Sequence, residues 1–231
     1  MYLDVVFPNK NEKEFIEQAI KLGYSGLIFI YQDKTKLPDK EKLKQPNFQI
    51  FYGTSLVKPN PSQSKKYDLI ISEIPKDKEA RAQVENKSMD ILFNLENNQR
   101  EDFLHQRNSG LNHIFCKLAK EKNIQIGISL SNLLNQRPIL ISKTLGRIRQ
   151  NLRICRKYGV KTIFASFAKS PLELRSPQDM HSFFNILFND EKIAKDALLN
   201  LNILIKENQS KKDKNYISQD VRILDQSTTK K

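Results

Sequence analysis

Short apolar runs alternate with amphipathic stretches along most of the chain. Leu3 to Val6 reads as a strand, and Gly26-Leu27-Ile28-Phe29-Ile30 is an unbroken apolar run, as a parallel strand buried on both faces requires. Between them Phe15, Ile16, Ala19, Ile20 and Leu22 form a helical stripe, with Asn11 placed to begin the helix and Gly23 to end it. Residues 31–46 are rich in Lys and Pro and predict a loop with at most a short helix. Phe48–Val57, Asp68–Ile71 and Met89–Leu92 predict three further strands, with a short helix over 77–86. Residues 93–108 are polar and irregular. Leu111, Ile114, Phe115, Leu118 and Ala119 then fall at helical spacing, Asn123 closes that helix, and Ile124–Ile128 is a strand. A short helix over 129–135, a long one over 139–158 ended by Gly159, a strand over 161–165 and helices over 177–188 and 190–206 complete the pattern.

Seven strands interleaved with helices predict a mostly parallel α/β sheet with right-handed crossovers. No glycine-rich phosphate fingerprint follows the first strand, which argues against a dinucleotide-binding fold. Seven strands without a clear eighth favour a distorted or incomplete (β/α) TIM-like barrel. Residues 1–205 read as one such domain. Residues 206–231, rich in Ser, Gln, Asn and Lys, read as a basic, disordered C-terminal tail.

Composition sharpens this picture. The 231 residues carry 39 Lys and Arg against 26 Asp and Glu, a net charge of +13, and the pI is about 9.6. That balance points to a polyanionic partner, nucleic acid before a membrane surface. No segment approaches the roughly 20 apolar residues of a membrane span, and Met1–Pro8 lacks the basic and long apolar regions of a secretory signal. Cys116 and Cys155 are too few for a disulfide framework, so a cytoplasmic location is expected.

The charge is concentrated. From Asn123 to Leu172 there is no acid, while Arg137, Lys143, Arg147, Arg149, Arg153, Arg156, Lys157, Lys161 and Lys169 lie within it and Arg175 follows. A solvated helix normally mixes signs, because opposite charges at i,i+4 support it. Fifty residues without an acid instead suggest an RNA or DNA surface. On the long helix Ile141, Leu145, Ile148, Leu152 and Cys155 form the buried stripe. Arg149, Arg153 and Arg156 share one adjacent sector, and Lys143 and Arg147 another exposed face. The alternative for any one of those arginines is an ion pair with a distant acid. Lys169 and Arg175 border the loop after the 161–165 strand, the end of a barrel strand where such folds place functional groups. Ser166, Ser170 and Ser176 could donate to phosphates there, although Ser176-Pro177 is equally a helix start.

No catalytic or metal-binding set emerges. His105, His113 and His181 are far apart in sequence, the first strand has no His-x-His, and Asp4 alone reads as a hydrogen-bonding or capping group. Cys116 and Cys155 read as core.

The blocks Arg107-Asn108-Ser109-Gly110-Leu111-Asn112-His113, Lys117–Asn123 and Ile126–Leu130, then Arg149–Val160 and Ser166–Pro177, resemble the ribonuclease P protein component 3 family. The match is dense over 107–188, moderate over 1–30, weak over 31–105 and absent in the tail. Phe188-Asn189-Asp190 stands where the family has a more glycine-containing stretch. The resemblance implies a distorted barrel similar to polymerase-and-histidinol-phosphatase (PHP) hydrolases without their metal-binding histidines. It implies a subunit of the ribonucleoprotein that removes the 5′ leader of precursor tRNA, with the chemistry and its Mg²⁺ carried by the ribonuclease P RNA. The implied partners are that RNA, precursor tRNA, protein component 2 in a heterotetramer, and other ribonuclease P protein subunits, with no membrane. Arg107, His113, Arg149, Lys169 and Arg175 fall in the matching blocks, and with Arg147, Arg153 and Arg156 they are the expected RNA contacts. The competing readings are a metal-dependent phosphoesterase on the same barrel, or a general RNA-binding scaffold.

Overall fold

In the computed structural model residues 1–32, 37–74, 84, 88–97, 101–213, 216–218 and 221–222 are described. Seven strands form one parallel sheet in chain order: β1 (Leu3–Val6), β2 (Gly26–Tyr31), β3 (Gln49–Ser55), β4 (Leu69–Glu73), β5 (Ile91–Phe93), β6 (Gln125–Ser129) and β7 (Thr162–Ala165). Each strand pairs with the next, as right-handed crossovers require. The helices are α1 (Glu12–Lys21), α2 (Lys40–Leu43), α3 (Pro61–Lys66), α4 (His113–Glu121), α5 (Leu130–Leu134), α6 (Pro138–Tyr158), α7 (Pro177–Phe188) and α8 (Glu191–Lys211). All seven expected strands form, and the sheet curls into a nearly closed α/β TIM-like barrel.

Alternation along the strands divides the core. Leu3, Val5, Ile28, Ile30, Phe51, Leu69, Ile71, Ile91, Ile163 and Ala165 point into the barrel. Leu27, Phe29, Ile70, Leu92, Ile126 and Phe164 point outward beneath the helices. Burial on both faces is the reason these strands read as continuous apolar runs.

The seam between β7 and β1 is closed by one bridge, Val6 to Ala168, with the Phe7 amide donating to the Ala168 carbonyl at 2.8 Å. Asp4 reinforces it: one carboxylate oxygen accepts from the Ser166 amide at 2.7 Å and the Val5 amide at 2.8 Å. The hydrogen-bonding role expected of this lone acid is therefore the observed one. Burial pushes its pKa up to about 6, opposed by those hydrogen bonds. In place of an eighth strand, α8 crosses the gap. Its Leu201, Leu204 and Ile205 enter the barrel cluster, and Asn200 donates to the open Thr162 carbonyl at 2.9 Å.

Two boundaries differ from expectation. α8 continues to Lys211, taking in the first part of the expected tail, and the Lys212 ammonium then pairs with Asp68 at 2.7 Å. Tyr216–Ser218 and Val221–Arg222 form a small antiparallel pair. The expected helix over 77–86 lies outside the described residues apart from Val84, as does the chain beyond Arg222. At Phe188-Asn189-Asp190, Asn189 takes the left-handed conformation (φ 53°) that a glycine would supply, and Asp190 caps α8 by accepting from the Ile193 amide.

Candidate nucleic-acid interface

The candidate surface is built on α6. Pro138 at its first turn suits a position with no hydrogen-bond partner for an amide, and Gly159 ends it in the left-handed conformation (φ 66°). Ile148, Leu152 and Cys155 are buried along the inner stripe, as the spacing required, whereas Ile141 and Leu145 of the same expected stripe are only half-buried.

Arg147 departs from expectation. It is 2% exposed rather than on an outer face. Its Nε and Nη2 both donate to one oxygen of Asp102 at 2.8 Å, and Nη1 donates to the Glu96 carbonyl at 3.1 Å. A guanidinium committed in this way cannot reach a phosphate, so Arg147 is removed from the contact set. It ties the segment carrying Asp102 to the helix. Asn151 donates to the Ser109 carbonyl at 3.0 Å, and Gln150 donates to the Arg107 carbonyl at 2.8 Å, completing the attachment. Burial acts to raise the pKa of Asp102. The Asn108 amide and the charges of Arg147 and Lys143 outweigh it and hold the carboxylate below its usual range. Glu96, buried beside Arg147, is pushed by burial up to about 7.

Arg107 lies half-exposed across the helix, 3.9 Å from Asp102. Its guanidinium occupies the space where a side chain at Gly146 would stand. The glycine in mid-helix thus makes a notch for Arg107 one turn from Arg149. Arg149, Arg153, Arg156 and Lys157 line the exposed side of the same helix. Among the described residues Arg149 and Arg153 have no acidic partner, whereas Arg156 meets Asp190 at 3.6 Å while remaining 68% exposed. Among the described residues the ion-pair alternative applies to Arg156. His113 opens α4, which packs beside α6, and is exposed.

Lys169 and Arg175 lie elsewhere, on the loop joining β7 to α7. Both are exposed. Arg175 turns two hydrogen bonds back onto the Leu172 and Leu174 carbonyls at 2.8 Å, and its own carbonyl accepts from Tyr24 at 2.8 Å. Ser176 is an N-cap, its hydroxyl accepting from the Asp179 amide at 3.1 Å. Ser166 donates to the Val5 carbonyl in the seam. Neither serine hydroxyl is free for a phosphate.

Phe93 and Phe167 stack at 4.5 Å within the barrel, with Phe7 at 6.3 Å from Phe93. Phe167 can enter because Gly127 has no side chain to meet its ring. Beyond this plug a polar network runs from Glu73 through Asn94 and Asn132 to Asn97. Among the described residues no three His, Cys, Asp or Glu side chains come close enough to hold a metal ion. His105 lies in the loop before α4, His113 opens α4 and His181 is on α7. Sequence reasoning missed Asp102, Glu96 and the Gly146 notch. The one available signal was a glycine inside an otherwise unbroken helical pattern.

Residues 1–213 match the RNase P subunit p30 family. The chain belongs to that family. Ribonuclease P protein component 3 of Methanosarcina mazei is 32% identical over 215 residues, spanning 88% of this chain and 85% of that protein. The component 3 of Methanosarcina acetivorans is 31% identical, spanning 80% and 78%. A chain of archaeal ribonuclease P solved with mature tRNA superposes with a TM-score of 0.76 at 22% identity, covering 96% of this chain and 98% of that one. An amidohydrolase barrel superposes at 0.50 with 9% identity over 91% and 75%, and shares the fold only. This subunit is therefore a ribonuclease P protein on a TIM-like barrel. No described helix is long and apolar enough to cross a membrane.

Proposed function

We propose that the subunit holds the ribonuclease P RNA against the outer face of α6, and that the RNA with its own Mg²⁺ cleaves the 5′ leader from precursor tRNA. The observation that carries this reading is the pair of exposed arginines Arg149 and Arg153 on an acid-free stretch, with Arg107 in its notch beside them. Arginines placed together repel one another by a few tenths of a kcal/mol per pair. Bound phosphates offset that repulsion and release counterions. An RNA helix presents shape, phosphate and 2′-hydroxyls, which a rigid basic ridge can match without reading bases. His113 extends the ridge beside α6. Lys169 and Arg175 contribute charge at the barrel mouth.

The remaining partners we propose are precursor tRNA, protein component 2 in a heterotetramer, and other protein subunits. Residues 1–205, with α8 completed, form the working domain. The buried free thiols of Cys116 and Cys155 suit a reducing cytoplasm.

Reconstitution with the RNA and component 2, scoring precursor-tRNA cleavage at limiting Mg²⁺, tests the reading. Wild type should lower the Mg²⁺ requirement, and the Arg149→Ala/Arg153→Ala variant should need more Mg²⁺. Equal cleavage by both would overturn it.

A further inference from the structure

Cys116 and Cys155 are the only cysteines in the chain and come from different elements, α4 and α6. Both are buried, at 0% and 1% exposed, in the apolar cluster shared by the two helices. There the thiols meet, and Cys155 donates a hydrogen bond to the Cys116 sulfur. Cysteines that served only as small apolar filling would not need to face each other across a helix pair.

We propose that Cys116 and Cys155 form a reversible dithiol–disulfide site, oxidised by hydrogen peroxide and reset by a small dithiol reductant, that staples α4 to α6. Thiols already in contact on adjacent helices need only a short approach to reach the S–S bond of about 2.05 Å. Access comes from the end of α4. Cys116 lies in its first turn, which is exposed at His113 and Ile114. Opening of that one turn admits a molecule as small as peroxide while the barrel stays folded. The hydrogen bond from Cys155 holds the Cys116 thiol below its ordinary range, against the effect of burial. The same bond, with burial, pushes Cys155 up. Cys116 is therefore the attacking thiolate and Cys155 the resolving thiol.

The Cys116 sulfur attacks one peroxide oxygen. An S–O bond forms, the O–O bond breaks, and the departing hydroxide takes the proton of the Cys116 thiol as water. The Cys155 sulfur then attacks the sulfenic acid. The S–S bond forms, the S–O bond breaks, and the hydroxyl leaves with the Cys155 proton as a second water. Two thiols lose two electrons and two protons, and one peroxide becomes two waters. The staple closes a loop of roughly 40 residues. It fixes the helix that His113 opens against the helix carrying Arg149 and Arg153. This chemistry does not depend on RNA binding.

Peroxide treatment of the folded, reduced full chain tests the proposal. The intact mass should fall by two hydrogens, and a peptide map should show residues 116 and 155 joined within one chain. Thermal unfolding should move up by roughly 5–10 °C, as expected for a loop of this length in a chain of this size. Dithiothreitol should reverse both changes. In the Cys155→Ala variant dimedone should trap a sulfenic acid at Cys116, and the Cys116→Ala variant should react at least about tenfold more slowly. The wild-type measurements stand even if a variant does not fold. Oxidation of urea-unfolded protein alone, with both thiols still free in the folded chain, would overturn the site. So would disulfide-linked dimers, or an oxidised chain that unfolds no later than the reduced one. Equal reactivity of the two variants would overturn the assignment of Cys116 as the attacking thiolate.

Discussion

Arg147 and Arg149 sit two residues apart on α6 and meet opposite environments. Arg147 is buried, paired with Asp102 and bonded to the Glu96 carbonyl. Arg149 is exposed and has no acidic partner among the described residues. Both come from the same acid-free stretch, so local charge density does not distinguish them. What does is the segment Asp102–Ser109, which brings its acid to one side of the helix from 45 residues away. One side of α6 thus uses arginine as internal structure, and the other leaves it exposed. Arg107 joins the two: its carbonyl is held by Gln150, and its guanidinium lies exposed over Gly146.

The comparison is broken most directly by removing Asp102. Asp102→Ala strands a buried guanidinium, and urea denaturation should show a loss of about 2–3 kcal/mol. Adding Arg147→Met should restore part of it by removing the stranded charge. Arg149→Ala/Arg153→Ala should do the reverse. Stability should stay within about 0.5 kcal/mol of wild type, while the slope of log affinity for RNA against log salt falls by about two. An unchanged slope would remove these arginines from the interface.

The paired side also sets a pH dependence. Glu96, at about 7, and Asp4 and Asp90, at about 6, are raised by burial above their unfolded values. The folded state binds the extra protons, so these groups make stability fall as pH rises from about 4 to about 7. Asp102 and Glu173 are lowered, and their contribution is lost at still lower pH. Unfolding followed from pH 4 to 8 should therefore show greater stability near pH 5 than at pH 8. Glu96→Gln should flatten the upper part of that slope. A smaller effect is expected at the notch. Gly146→Ala should raise helix stability by up to about 1 kcal/mol but displace Arg107, weakening RNA binding by a few-fold in a filter-binding titration.

Much of this was readable before the structure. Strands buried on both faces must be apolar throughout, so the seven runs declared themselves. Gly23, Asn123 and Gly159 mark helix ends because each adopts a positive φ there. Other elements were silent. α3 buries none of its residues and so leaves no stripe to detect; only Asn60 and Pro61 at its start signal a helix. The 3₁₀ turn Pro171–Glu173, only three residues long, also buries none of its side chains. α8 was placed but ended too early, because its last turn is polar and anchored by Asp68 from the start of β4. Of the expected contacts, Arg107, His113, Arg149, Arg153, Arg156, Lys169 and Arg175 are exposed, whereas Arg147 is buried.

The chain's own pattern determined the barrel, the long helix and the concentration of positive charge, because hydrophobic periodicity and acid-free composition are local properties. Which arginines remain available, what closes the seam and which apolar side chains stay uncovered were decided only in three dimensions. Charge neutralisation and burial depend on distance in space, and the residues responsible here, Asp4 with Ser166 and Asp102 with Arg147, are 162 and 45 positions apart.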